Sequence, residues 1–331
     1  MAFPVKLKSF LFLSIFLFFN PQNISAQQNN TKVKAGFESG RINTERFGDG
    51  LFFRPFVKIN GRKKFNKSLL KIKAHASSEI MNLQNNVRGI HLLANIEYAI
   101  NIGRGIFLIS GAAKNQVHFI QSQKKQQFNE INLRFRYSHN LSKMFSLQFK
   151  EQFIFREQKG ASKNALSKNI LQSDLGIKTK SGSILKLGFF YEKNAFDYQQ
   201  TKIIEHTRSG PSLEYNHKKR FILNLAYKYG FFQNSIVRDQ QINVLAGKYL
   251  TRKVSVFFFV YYLWRIKEGI NSDKLEYNPL ESYNNVSLKL GYDLKDKTHL
   301  YSKLLHEEQE IFQRGSKLST FQVMLGVQQS F

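Results

Sequence analysis

The chain has 331 residues and no cysteine, which removes disulfides, thiolate metal sites and a thiol nucleophile from consideration. Lysine and arginine outnumber aspartate and glutamate 50 to 23, and the formal charge of +27 raises nucleic acid as a partner. An export signal argues against nucleic acid, and the abundance of Lys, Asn, Ile and Phe gives part of the charge a purely compositional origin.

That signal opens the chain: Lys6 and Lys8, an apolar run from Phe10 to Phe19, then the small-residue site Ile24-Ser25-Ala26 before Gln27. The run is about half of the ~20 apolar residues a spanning helix needs, so residues 1–26 are expected to be a cleaved signal peptide. No Cys follows the small residues, which excludes a lipid-modified N-terminus. Residues 27–331 then form one domain, with no linker or low-complexity tract dividing it. The first strand is expected so soon after the cleavage site that no N-terminal plug or periplasmic domain fits between them.

From Gln27 onward the hydropathy alternates with period two. Expected strands cover 32–40, 51–60, 68–77, 88–100, 105–117, 128–138, 144–156, 169–178, 183–192, 206–216, 220–231, 240–250, 253–265, 282–293, 298–307 and 319–331. Residues 130–156 display the unit: Ile131, Leu133, Phe135 and Tyr137 on one face, Asn132, Arg134 and Arg136 on the other, then a polar turn and a second strand of the same kind. The longest apolar stretch after the signal, Val254 to Trp264, suits a spanning strand of ~9–11 residues and is too short for a spanning helix. Short connections near 61–64, 101–104, 138–143, 179–182, 217–219, 251–252 and 295–297 alternate with longer ones near 41–50, 78–87, 118–127, 157–168, 193–205, 232–239, 266–281 and 308–318. With a periplasmic N-terminus the longer connections follow odd-numbered strands, as external loops must. Leu185, Leu187, Phe189 and Tyr191 on one strand and Val286, Leu288, Leu290 and Tyr292 on another are assigned to lipid. Tyr137, Tyr191, Tyr249, Trp264 and Tyr292, near strand ends, fit interfacial girdles. The expected fold is all-β, a transmembrane antiparallel up-and-down β-barrel of about 16 strands, within a range of about 14 to 18.

The last strand carries Phe321, Val323, Leu325 and Val327 in alternation and ends on Phe331, departing from the pattern only at Gln329. With the export signal and the alternating strands, residues 27–331 resemble a Gram-negative porin-like outer-membrane β-barrel. The resemblance implies integral residence in the outer-membrane lipid and makes the terminal strand the signal read by the barrel assembly machinery. An apolar strand with a free edge can pair with that machinery before the barrel closes.

Lys71, Lys73, Arg134, Arg136, Lys150, Arg156, Lys178, Lys186, Lys228 and Lys289 occupy the polar strand faces, against Glu97, Asp174, Glu192, Glu214 and Asp293. If those faces line a lumen, its wall is net cationic and favours small anionic solutes. Arg134 and Arg136 are the sharpest candidates, because neighbouring guanidinium forks suit phosphate or carboxylate. His75 and Ser77 have the spacing of a lipid-hydrolysing pair, but they share a face with Lys71 and Lys73 and so turn away from lipid. His299 and His306 are an odd number of residues apart, fall on opposite strand faces, and do not suggest a shared metal. No catalytic residue, cofactor or metal site follows from the sequence. The leading reading is passive diffusion of small solutes with an anion preference. Its rivals are a non-conducting barrel anchoring a surface or secretion assembly through loops such as Ile266 to Glu281, and a lipid-modifying barrel enzyme.

Overall fold

The computed structural model of the chain describes residues 29–331 apart from 45–47, 83–86, 121–123, 160–163, 199–201, 218–220, 233–236, 268–281, 296 and 312–315. The expected signal segment and most of the 266–281 connection lie outside the described residues.

Sixteen strands follow in chain order: β1 (Asn29–Thr44), β2 (Gly48–Lys64), β3 (Ser68–Asn82), β4 (Val87–Ile102), β5 (Gly105–Ile120), β6 (Lys124–Asn140), β7 (Phe145–Lys159), β8 (Asn164–Lys178), β9 (Ile184–Tyr198), β10 (Lys202–His217), β11 (Phe221–Phe232), β12 (Val237–Tyr249), β13 (Val254–Lys267), β14 (Ser282–Lys295), β15 (Thr298–Ile311) and β16 (Ser316–Ser330). Each pairs antiparallel with its neighbours in sequence, and β1 pairs with β16 to close the barrel, with Lys34 opposite Ser330 and Thr44 opposite Thr320. Closure leaves no sheet edge without a neighbouring strand, as a spanning sheet requires. No helix occurs among the described residues.

The described turns carry the chemistry that tight reversals need. Gly103 adopts φ 58° and Gly182 φ 86°, the left-handed region that favours glycine. In the β6–β7 turn the Ser142 hydroxyl accepts from the N–H groups of Met144 and Phe145, both at 3.1 Å. Thr251 does the same for Lys253 and Val254 at 3.1 and 3.0 Å.

The two wall faces follow directly from the period. Leu325 is 64% exposed on the outside while its neighbour Met324 is 2% exposed inside; Phe189 (53%) and Phe190 (2%) repeat the contrast on β9. Outward apolar side chains of this kind run around the barrel as a lipid-facing surface. Inside, Ile42, Phe52 and Met324 form a small apolar cluster with Met81 and Leu305. Among the described residues everything outside the strands is a short turn, so no described element enters the lumen.

Two expectations are corrected. Strands run further than the hydropathy pattern suggests at the end expected to be external: residues 41–44, 48–50, 78–82 and 118–120, read as connection, are strand. A hairpin can continue past the lipid because its backbone ladder needs no apolar face in water, so the period fades before the strand does. Tyr249 belongs to the inward face, not a girdle: its ring meets Phe257 edge-on, centroids 6.0 Å apart. Tyr137, Tyr191 and Tyr292 lie on the outward face, in register with Phe107, Leu171 and Leu300 respectively.

Candidate functional site in the lumen

The cationic positions singled out in the sequence share the inward parity of their strands. They divide into two kinds. Lys71 bonds Glu97 at 2.5 Å, Arg156 bonds Glu130 at 2.7 Å and Lys186 bonds Glu214 at 2.9 Å, each across one ladder. Lys73, Arg134, Arg136, Lys150, Lys178, Lys228 and Lys289 have no ion-pair partner among the described residues.

Several unpaired cations stand directly opposite another cation. Arg136 faces Lys150 across the β6–β7 ladder, and Lys289 faces Lys303 across β14–β15. Lys34 faces Lys58 across β1–β2. Like charges in this register are destabilising unless water or a counterion screens them. Asp174 and Glu214, the carboxylates close enough to attract Lys150, are already engaged: Asp174 by Gln172 at 2.9 Å and Glu214 by Lys186. Aromatic faces take up part of the remaining charge. Lys289 lies 3.9 Å from the Tyr301 ring centroid, Lys58 4.3 Å from that of Phe56 and Lys228 5.1 Å from that of Phe190.

Elsewhere the inner wall is knotted by buried carboxylates. The Tyr301 hydroxyl donates to Glu38 at 2.6 Å, and Arg54 donates to Glu38 at 3.1 Å and to Glu79 through Nε at 3.1 Å. His91 Nε2 meets the other Glu79 oxygen at 3.0 Å, and Gln116 meets His91 Nδ1 at 2.8 Å. The chain of bonds links β15, β1, β2, β3, β4 and β5. A second knot lies across the barrel, where Glu192, 1% exposed, accepts from Arg208 at 2.8 Å and Asn194 at 2.9 Å and pairs with Lys168 at 3.1 Å.

At the end of the first knot, Glu79, His91 and His118 bring three donor atoms within 4.8 Å of one another. The two imidazoles meet edge-on with centroids 5.1 Å apart. This grouping was not legible in the sequence. Glu79 and His118 fall in stretches read as connections, and no local motif joins residues contributed by three separate strands. Arg54 was missed for another reason: in Leu51-Phe52-Phe53-Arg54-Pro55-Phe56-Val57 both faces are apolar apart from the arginine, so the period is hidden.

The three histidines weighed in the sequence, His75, His299 and His306, behave as their spacing implies. His75 is on the inward face, edge-on to Phe56 at 6.0 Å, and Ser77 beside it is 7% exposed, so the pair turns away from the lipid face. His299 bonds Asp293 at 2.7 Å on the inward face. His306, on the opposite face, lies 3.5 Å from Glu308.

No protein-family model matches the sequence, and no curated protein sequence does. Solved structures match in shape. CdiB from Acinetobacter baumannii aligns with a TM-score of 0.51 at 10% identity, over 90% of this chain and 60% of that one. The siderophore receptor PirA from Pseudomonas aeruginosa gives 0.47 at 10% identity, over 92% and 63%. A deletion mutant of the TodX monoaromatic hydrocarbon channel gives 0.46 at 11% identity, over 95% and 93%. The chain thus spans less than two thirds of the length of CdiB and of PirA. These are Gram-negative outer-membrane barrels, and the chain has the fold of that class.

Proposed function

We propose that residues 1–26 export the chain and that residues 27–331 sit in the outer membrane as a non-enzymatic pore for passive diffusion of small solutes, with a preference for anions. The terminal strand, through Phe321, Val323, Leu325, Val327 and Phe331, guides insertion by the barrel assembly machinery. A closed barrel of sixteen strands has room for an aqueous interior. The observation that carries the anion preference is the direct opposition of Arg136 and Lys150 with no carboxylate bonded to either. Such a pair is tolerated where water and mobile anions screen it, and it raises the local concentration of those anions in turn.

The test is the reversal potential of purified protein in a planar bilayer under asymmetric potassium chloride. Chloride preference is expected, weakening as the screening length falls from ~10 Å at 0.1 M to ~3 Å at 1 M salt. Replacing Arg134 and Arg136 together by Glu is expected to move selectivity toward potassium. Folded protein without conductance would overturn the pore in favour of an anchoring barrel. Unchanged selectivity in the double variant would remove those arginines from the permeation path.

A further inference from the structure

We infer that Glu79, His91 and His118 form a binding site for a first-row divalent transition-metal ion on the inner wall of the barrel, near the end where β3 gives way to residues 83–86. The register builds it. Glu79, Gly89 and His118 lie in one row across β3, β4 and β5, and His91 projects inward two residues along β4 from Gly89. Glycine leaves the centre of that row without a side chain, so the carboxylate and the two imidazoles surround a gap. A Cβ at position 89 would come 3.0 Å from His91 Nε2 and 3.3 Å from His118 Nδ1. The space that a side chain would fill is therefore bounded by ligand atoms.

The donor set selects the ion. Two imidazole nitrogens and one carboxylate oxygen suit zinc, cobalt, nickel or ferrous iron, and they fit poorly the all-oxygen shells of magnesium and calcium. Donors now within 4.8 Å must close to about 3–3.5 Å around an ion held at ~2.0–2.2 Å. Side-chain rotation of the half-buried His91 and His118 supplies that contraction, while Glu79, 2% exposed, stays fixed. Remaining coordination positions open to the lumen.

Outer partners are already in place. Arg54 pins one Glu79 oxygen, which leaves the other, now 3.0 Å from His91 Nε2, for the ion. When Nε2 ligates, the imidazole proton moves to Nδ1, and the Gln116 amide, 2.8 Å away, turns its oxygen to accept it. The Arg54 charge next to the site is offset by Glu38, which bonds it at 3.1 Å. The His118 imidazole makes no hydrogen bond with a described residue, so ligation there breaks no hydrogen bond.

The experiment uses folded, tag-free protein in detergent. Calorimetric titration should give uptake of a single equivalent of Zn²⁺ that excess Mg²⁺ does not displace, and Co²⁺ should develop visible ligand-field bands. His118→Ala leaves every bond from Glu79 to Arg54 and His91 intact and is expected to weaken Zn²⁺ binding more than about tenfold, since losing even an outer-shell partner has an effect of that size. Gly89→Ala fills the gap and is expected to act in the same direction, with the heat-modifiable gel shift of the folded barrel retained. Absence of stoichiometric uptake by the wild-type protein overturns the site, as does uptake equal to wild type in both variants. The readout is binding alone, so its outcome is independent of whether the barrel conducts.

Discussion

Arg136 stands directly opposite Lys150 across the β6–β7 ladder, with Arg134 two residues away on the same face and Gln152 opposite it. Two cations in that register repel, and reversing one of them turns repulsion into attraction. Lys150→Glu is therefore expected to stabilise the folded barrel by about 1 kcal/mol, the upper end of a cross-strand charge pair. A higher urea midpoint with a reversal potential shifted toward cations is the expected pair of results. Stability lowered by the change would mean that Lys150 is held by a favourable interaction instead.

The carboxylate of Glu79 is the opposite case, a buried charge that depends on its partner. Arg54 bonds both Glu79 and Glu38, with the guanidinium side chain 23% exposed and Glu79 2% exposed. Arg54→Ala leaves two carboxylates without their cation. Breaking a buried pair by removing one member costs about 3–5 kcal/mol, and the partly wet lumen puts this case near 3 kcal/mol. Equilibrium unfolding in urea reads the loss, and Arg54→Lys should recover part of it by restoring the charge without the fork. A loss below about 1 kcal/mol would show that lumen water replaces the arginine.

Glu151 breaks the outer pattern. It faces outward between Phe149 and Phe153 on β7, in register with Phe135 on one side and Leu171 on the other, and it makes no ion pair or hydrogen bond with a described residue. A carboxylate on the lipid face is unfavourable, though less so than a lysine or arginine there. Glu151→Leu is expected to raise stability by about 1 kcal/mol in bilayer or detergent unfolding. An equal loss would point to a partner that this carboxylate meets in the membrane.

How much of this was legible in the sequence depends on whether lipid or side-chain geometry sets the rule. Lipid demands alternation, so the strands from β1 to β16 and the inward parity of Arg134, Arg136 and Lys150 follow from period two. Beyond the lipid that demand lapses, and the outer parts of β1, β3 and β5 read as connection. Glu79 and His118 lie there and went unnoticed, although each is on a strand. Which cations are paired also escaped the sequence, since Lys71 with Glu97 and Lys186 with Glu214 depend on inter-strand register. Register is set by the turns and the closure, which residue types alone do not encode.

Phe331 separates folding from assembly. In the closed barrel its side chain is 69% exposed, and its backbone N–H donates to the Val33 carbonyl at 2.9 Å, so the residue extends the β1–β16 seam by a single bond. Deleting it removes little from the finished wall, about 1 kcal/mol for that hydrogen bond. The Val327 side chain belongs to the same outward stripe as Phe321, Val323 and Leu325, in register with Phe37 on β1 and Leu300 on β15. If the assembly machinery reads that stripe before closure, Phe331 deletion, or aspartate at both 327 and 331, should leave export to the periplasm intact and prevent insertion in cells. The deletion variant refolded in detergent should still show the heat-modifiable shift of a closed barrel. Normal insertion in cells by the aspartate double variant would remove the terminal stripe from assembly, whereas failure of the deletion variant both in cells and in detergent would assign Phe331 to the stability of the seam.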